Sequence, residues 1–304
     1  MAKHVLVAGS LHYDLVVNAE TFPIADEYLP GHSLRYLPGG KGGNQAIAAA
    51  RNGVVTWFAG RVGDDEAGGI LAANLEAAGV DISMLQRGAG EVSGASIAIV
   101  NPFGDFGAIV VSGANLSFDP DAVTMPPEVG YLVLENELPM DANVALARKA
   151  KTAGVLIMLN ACPVRSMQED LLDLTDILVL GQAEAEAMAG RSFSSPKVAL
   201  EAIVPFTDKV PRIAIMLGAG GLVHVERGGR PEYHPAMKGK PESMHGAMDF
   251  FVGALASQMA SGSEFEAAVH YGQAAASVFM STPVERRDLI RATQVRARLG
   301  EDDR

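Results

Sequence analysis

The stretch Ser243-Met244-His245-Gly246-Ala247-Met248-Asp249-Phe250-Phe251-Val252-Gly253-Ala254-Leu255-Ala256 decides how the chain is read. Small residues and one carboxylate precede a nearly unbroken apolar run. The pattern predicts a turn, a helix mouth near Gly246-Ala247, and a buried helix over Phe250–Met259. Free main-chain N–H groups at a helix start attract an anion. Asp249 lies in that first turn. It is either a base for an attacking hydroxyl or a cap that balances the helix dipole. Gly253, Ala254 and Ala256 permit close packing, and a buried helix is a rigid mount for reacting groups.

Outward from this helix, apolar runs of strand length alternate with helical patterns. Val5–Ala8, Val54–Ala59, Tyr131–Leu134, Val155–Leu159, Ile177–Leu180 and Ile213–Leu217 read as strands. Their continuous apolar character fits parallel strands covered on both faces. Asn44–Arg51, Glu66–Ala78, Asp141–Ala153 (with Asp141 as its cap), Glu264–Phe279 and Glu285–Leu299 read as helices. The alternation predicts a three-layer α/β domain with a mostly parallel central sheet. Two stretches break it. Residues 14–38 hold strands at Leu15–Asn18 and Ser33–Leu37, and residues 95–112 hold two β runs around Asn101-Pro102-Phe103-Gly104-Asp105. Together, over about 12–38 and 95–113, they predict a small antiparallel sheet projecting as a lid, a dimer surface, or both. The organisation is a single domain over 1–304.

Composition narrows the function. Of 304 residues, 48% are apolar and 20% charged, which is a folded chain. Thirty-six acidic against 24 basic residues give a net charge of −12, so nucleic acid is not the expected partner. Neither a signal-peptide layout nor an apolar run long enough for a membrane span is present, and a single cysteine, Cys162, fits a reducing compartment. A cytoplasmic protein is the expectation.

Three further clusters carry chemistry. In Leu37-Pro38-Gly39-Gly40-Lys41-Gly42-Gly43-Asn44-Gln45-Ala46, four glycines surround one lysine, and glycine lets main-chain amides approach a ligand closely. The cluster lacks the GxxxxGK spacing of a P-loop. Lys41 is a ligand contact or a surface lysine, and Asn44 is a helix cap or a donor to a polyhydroxy ligand. Asp14 follows the first strand, at the sheet edge where ligands meet open α/β folds; it is a hydroxyl acceptor or a turn cap. Glu135 and Glu137 follow the strand Tyr131–Leu134, one toward the cleft and one away. Glu184 is a metal–phosphate contact or an acid at a helix start. Cys162 reads as a packed small residue, and His4, His12 and His32 have no metal-like spacing.

These residues resemble the ribokinase-like (PfkB) family of carbohydrate kinases, closest to its ribokinase branch. The resemblance rests on GSLHYDLVV (9–17), LPGGKGGNQAIAAARNG (37–53), GRVGDDEAGGILAANLEAAGV (60–80), SGAN (112–115), ENELP (135–139), NACP (160–163) and LGAGG (217–221). It implies a sugar held between an α/β domain and a β lid that also forms a homodimer contact, with ATP and Mg²⁺ phosphorylating a primary hydroxyl. It assigns Asp14, Gly40, Lys41, Asn44 and Glu137 to the sugar, Asp249 to the base, and Gly246 and Ala247 to the anion hole. Glu184, Gly218, Gly220 and Met248 fall on the nucleotide side, with Glu184 also toward the metal.

That side departs from the family. DTTGAGD becomes Ser243-Met244-His245-Gly246-Ala247-Met248-Asp249, the Asn of NxxE becomes Gly181, and the threonine opening the TLGxxG loop becomes Met216. Ser281-Thr282-Pro283-Val284-Glu285-Arg286 replaces the family's C-terminal segment, so potassium activation is not expected. The lead expectation is an ATP-dependent kinase of a pentose or related sugar. The alternatives are a sugar-binding protein with little or no phosphoryl transfer, and a kinase of altered substrate or donor, such as a nucleoside.

Overall fold

The computed structural model of the chain describes residues 3–103, 106–164, 169–239 and 241–302. In chain order, its first part runs β1 (His4–Ala8), β2 (His12–Ala19), β3 (Gly31–Gly39), α1 (Lys41–Arg51), β4 (Thr56–Gly63), α2 (Glu66–Ala77), β5 (Asp81–Gly88), β6 (Ala95–Val100) and β7 (Phe106–Val111). The middle runs β8 (Val129–Glu135), α3 (Met140–Thr152), β9 (Leu156–Asn160), α4 (Glu169–Leu174), β10 (Ile177–Gly181), α5 (Gln182–Ala189) and α6 (Pro196–Ile203). The last part runs β11 (Arg212–Met216), β12 (Leu222–Glu226), β13 (Glu232–His234), α7 (Ala247–Ala260), α8 (Phe265–Ser281) and α9 (Ala292–Asp302).

Nine strands form one sheet in the order β13-β12-β11-β10-β9-β8-β1-β4-β5. Pairing is parallel from β11 to β5 and antiparallel for β11–β12 and β12–β13. Strand alternation sends successive side chains to opposite faces. Leu6, Leu132, Leu134, Ile157 and Ile213 join Leu146 of α3 and Ala199 of α6 on one face. Val5, Val7, Val133 and Ala214 pack with Phe251 and Leu255 of α7 and Ala268 of α8 on the other. Both faces are therefore covered, as the apolar strands predicted.

The helix read from the opening stretch is α7, and it starts at Ala247, at the mouth expected near Gly246-Ala247. It packs against α1 at very short range. A Cβ at Gly253 would stand 2.3 Å from Gln45 O and 2.5 Å from Ala48 Cβ, so only glycine permits this crossing. That contact fixes the mouth of α7 beside the first turns of α1.

The second sheet has four strands in the order β3-β2-β6-β7. It is mixed rather than antiparallel: β2 pairs parallel with β6, because the chain leaves the small sheet after β3 and re-enters it through β6. Gly104 and Asp105 of the expected hairpin turn lie outside the described residues.

Other boundaries also differ. Asp141 is not the cap of α3; Pro139 occupies that position and Asp141 sits inside the first turn. The single helix expected over Glu285–Leu299 is split. A 3-10 turn, Val284–Leu289, ends at Ile290, whose extended backbone and fully buried side chain break the path before α9.

Candidate active site

The parallel strands end at one edge, and the chain order reverses around β1, which lies between β4 and β8. Such a reversal opens a crevice at the carboxyl ends of strands. The residues following β1, β8, β9 and β10 project there, and α1 and α7 begin above them.

Ser10, just past β1, organises the first part of the site. Its amide donates to Glu135 Oε1 at 2.7 Å, and its hydroxyl donates to Glu137 Oε2 at 2.6 Å. The Glu137 amide in turn donates to Glu135 Oε2 at 2.6 Å. The two glutamates therefore do not alternate toward and away from the cleft. β8 ends at Glu135, strand geometry stops, and both carboxylates turn toward Ser10. Burial and the neighbouring Glu137 push Glu135 up to about 8, against the pull of its two main-chain donors.

Gly40 adopts φ 93° as the residue before α1, and a Cβ there would meet Leu11 Cα and Ser10 O at 2.6 Å. Glycine at this point lets α1 start directly over the β1 end. Lys41 is the first helical residue, and its amide faces Ser10 Oγ at 3.2 Å and Glu137 Oε2 at 3.4 Å. It is not a surface lysine. Burial works against its ammonium, but Asp249, Glu137, Cys162 and Glu135 outweigh that and raise its pKa.

Asn44 does not cap α1, because the helix has already begun at Lys41. Instead its Nδ2 approaches Asp249 Oδ2 at 3.4 Å, and Gln45 Nε2 donates to Asp249 Oδ1 at 3.1 Å. Asp249 is 5% exposed. Burial raises its pKa, while Lys41, Gln45 and Asn44 restrain the rise. The carboxylate is thus held in one orientation and made more basic than an ordinary aspartate.

Gly246 stands before α7 in the left-handed region. Of the helix-mouth amides, that of Ala247 is not available, since it donates back to Met244 O at 3.1 Å. This corrects its expected place as an anion donor. Among the described residues, the amides of Met248 and Asp249 have no protein acceptor. The approach to this mouth is pinned by Arg287, which donates to Ser243 O at 2.9 Å and His245 O at 3.1 Å and lies 4.0 Å over the Phe279 ring.

Asp14 sits apart, on the inner face of the small sheet, hydrogen-bonded by the Ser96 hydroxyl. Burial raises its pKa, against the Ser96 bond and the nearby His245 and His12. It borders a cavity of about 770 Å³ between β2, β3 and β6 and the segments 241–245 and 283–287. A smaller cavity of about 200 Å³ shares Asp14 and Arg287 and adds Asn44 and Gly246, the neighbours of Asp249.

Glu184, in the first turn of α5, is separated from Asp14 but not from the rest. Burial pushes the Cys162 thiol up to about 12, and Lys41, Glu184 and Asp249 all lie near enough for their charges to act on it. Glu184 also borders a cavity of about 610 Å³ with Ala161, Met188 and Lys209. Met248 leans toward this side: a Cβ on Gly181 would lie 3.5 Å from its methyl and 2.5 Å from Glu184 Oε2. Gly218 and Gly220 form a tight turn after β11; Gly218 is exposed, and no hydrogen bond links either to the other site residues. As a metal ligand set, one carboxylate fits a magnesium ion that keeps most of its waters and arrives on phosphates, not a protein cage.

Sequence reasoning passed over Ser10, Gln45, Ser96, Asn115 and Arg287. Asn115, within the SGAN segment, accepts from the Leu11 amide at 3.0 Å and donates to Leu11 O at 2.9 Å, holding the β1 end in place.

Comparison with known proteins follows the same outline. Residues 2–286 match the pfkB family carbohydrate kinase. The ribokinase of Bacillus subtilis is 31% identical over 281 residues, spanning 91% of this chain and 92% of that protein. The ribokinase of Haemophilus influenzae is 29% identical over 283 residues, spanning 91% and 92%. The structure of Arabidopsis thaliana ribokinase complexed with ribose and ATP superposes with a TM-score of 0.89 at 26% identity, covering 98% of this chain and 99% of that one.

Proposed function

We propose that this chain, which belongs to the pfkB family of carbohydrate kinases, phosphorylates a primary hydroxyl of a pentose with ATP. Ribose is the leading substrate, since it and ATP are the ligands of the Arabidopsis relative. One observation carries the reading: a buried Asp249, held by Asn44 and Gln45 and acted on by the Lys41 charge, lies at a helix mouth with two free amides.

Asp249 takes the proton of the sugar hydroxyl as its oxygen forms a bond to the γ-phosphorus and the bond to ADP breaks. The Met248 and Asp249 amides, at the positive end of α7, meet the charge on the transferring group. Asp14, with Ser96 behind it, accepts from sugar hydroxyls under the small sheet, which serves as the lid. Glu137, Asn44 and the Gly40-Lys41 turn complete that side. Glu184 would hold a Mg²⁺ ion arriving on the phosphates, which would supply neutralisation of their charge. The outer face of the small sheet exposes Leu34, Tyr36, Ile97 and Ile109, which suits a homodimer contact.

The reading of a sugar binder without transfer finds no support among the relatives. Met248 narrows the nucleotide side, yet its amide remains a free donor, because a helical backbone accepts any side chain at that position. No observation favours a nucleoside substrate.

The test is to incubate the protein with Mg–ATP and a panel of sugars and nucleosides. Ribose-dependent ADP release should fall by about 10²–10⁴ in Asp249→Asn, with ribose binding retained. Tight ribose binding without ADP release by the unaltered protein would establish the binder instead, and full activity in Asp249→Asn would remove the base.

A further inference from the structure

The hairpin β12–β13 carries a polar cluster remote from Asp249. His224 is directly opposite Glu232, and His234, two residues on, shares their face of the sheet. One ligand atom from each of the three lies within 4.8 Å of the other two. His224 Nε2 and His234 Nε2 are 3.0 Å apart, while their ring centres are 5.1 Å apart and their planes are nearly parallel, at 15°. The nitrogens are closer than the rings, so the imidazoles meet edge to edge, each aiming a nitrogen at the other. Only one proton fits between them, which leaves at least one lone pair directed into the gap.

The helix across this face supplies more donors. α8 presents Glu266 and His270, one turn apart. Glu266 lies close enough to the Glu232 carboxyl for the two charges to interact, and the His270 ring lies 5.3 Å from that of His234. On the same pleat Leu222 and Ala214 pack against α7 and α8, and the next pair along the strands is the Arg212–Glu226 ion pair at 2.7 Å. A buried His224, 4% exposed, among such neighbours stands at a position where a small hydrophobe would pack without needing partners.

We propose that His224, His234 and Glu232 form a binding site for a divalent transition metal ion of the zinc class. Zinc bonds to imidazole nitrogen at about 2.0–2.1 Å, so two tetrahedral ligands sit about 3.3 Å apart. The observed 3.0 Å needs only a small opening once the ion replaces the shared proton. Glu232 supplies the third ligand, and the fourth position falls to water, Glu266 or His270. The nitrogen-rich set selects zinc, cobalt or nickel over magnesium, which prefers oxygen. The ion would clasp β12 to β13 where they leave the Gly218–Gly220 turn: Leu222, the first residue of β12, pairs with His234.

The test uses the full chain without an affinity tag, stripped with a chelator, and titrated with Zn²⁺ by calorimetry and with Co²⁺ by visible absorption. The expected result is one equivalent bound, with cobalt bands of a four-coordinate site. His234→Gln and Glu232→Gln, both at partly exposed positions, should weaken binding by about 10–100-fold or more. Glu184→Gln should leave it unchanged, which separates this site from the nucleotide's magnesium. Absence of stoichiometric binding, or equal binding by His234→Gln, would overturn the proposal and leave a hydrogen-bonded histidine pair.

Discussion

Replacing Arg287 with Met tests how the mouth of α7 is held. Its guanidinium reaches two carbonyls of the segment that leads into the helix, Ser243 O and His245 O, and a third at Thr282 O at 3.3 Å. Methionine keeps the buried stem and its contact with Phe279 but removes every donor. Hydrogen bonds to a charged group contribute about 1.5–3 kcal/mol each. Two lost at the low end amount to about 3 kcal/mol, or about 150-fold in the balance between an ordered and a released segment. Because Gly246, Met248 and Asp249 follow this segment directly, kcat/KM for the sugar should fall by up to about a hundredfold. Hydrogen exchange at residues 243–246 should rise in parallel, and Arg287→Lys, with one reach instead of a fork, should fall between. Unchanged exchange together with unchanged kcat/KM in Arg287→Met would refute the argument.

Other outcomes follow from the same geometry. Burial raises Asp249, and a base works only when deprotonated, so activity is lost as pH falls through a value above the ordinary 3.8; an acid limb at or below 3.8 in kcat/KM would contradict this. Glu135→Gln sets an NH₂ against one of two main-chain donors, at a cost of about 1–3 kcal/mol, read as a lower urea midpoint at constant slope. Gly40→Ala combines φ 93° with a Cβ 2.6 Å from Ser10 O, so it should lose at least about 1–3 kcal/mol, and a neutral result would show that α1 can shift. Gly181→Asn pushes Glu184 and meets the Met248 methyl, so KM for Mg–ATP should rise, and adding Met248→Gly should reverse part of that rise; a double variant no better than the single would show the two positions to be independent.

The layers of the fold were legible because both faces of the central sheet are apolar. Val5–Ala8 and Ile213–Leu217 leave no other reading at that length. What was illegible is telling. Asn44 and Asp141 look like caps in sequence, yet the helices start earlier, at Lys41 and Met140, because tertiary contacts and a proline override local preference. Cap residues mark a helix start only when nothing else determines it. The parallel β2–β6 pair was hidden since strand direction depends on where the chain re-enters, at Ala95 after leaving at Gly39, and not on composition. Within the site, single charged residues next to glycines were visible, whereas Ser10, Gln45 and Arg287 are common residue types whose value lies in what they touch. Arg287 is separated by more than 35 residues from Gly246 and belongs to a segment the sequence read as plain helix. The histidines of β12 and β13 were missed for a similar reason: a spacing of ten residues matches no metal motif until a hairpin folds it in half.

In the small sheet, neighbouring residues serve opposite masters. Asp14 looks inward to the cavity, while Tyr13 and Leu15 on either side share the outward pleat with Tyr36 and Ile97. A second copy resting on that outward pleat would stiffen the strand that aims Asp14. Linkage is reciprocal, so if two copies do pair there, a ligand that clamps Asp14 would tighten that pairing by the same factor, and dilution would loosen the ligand.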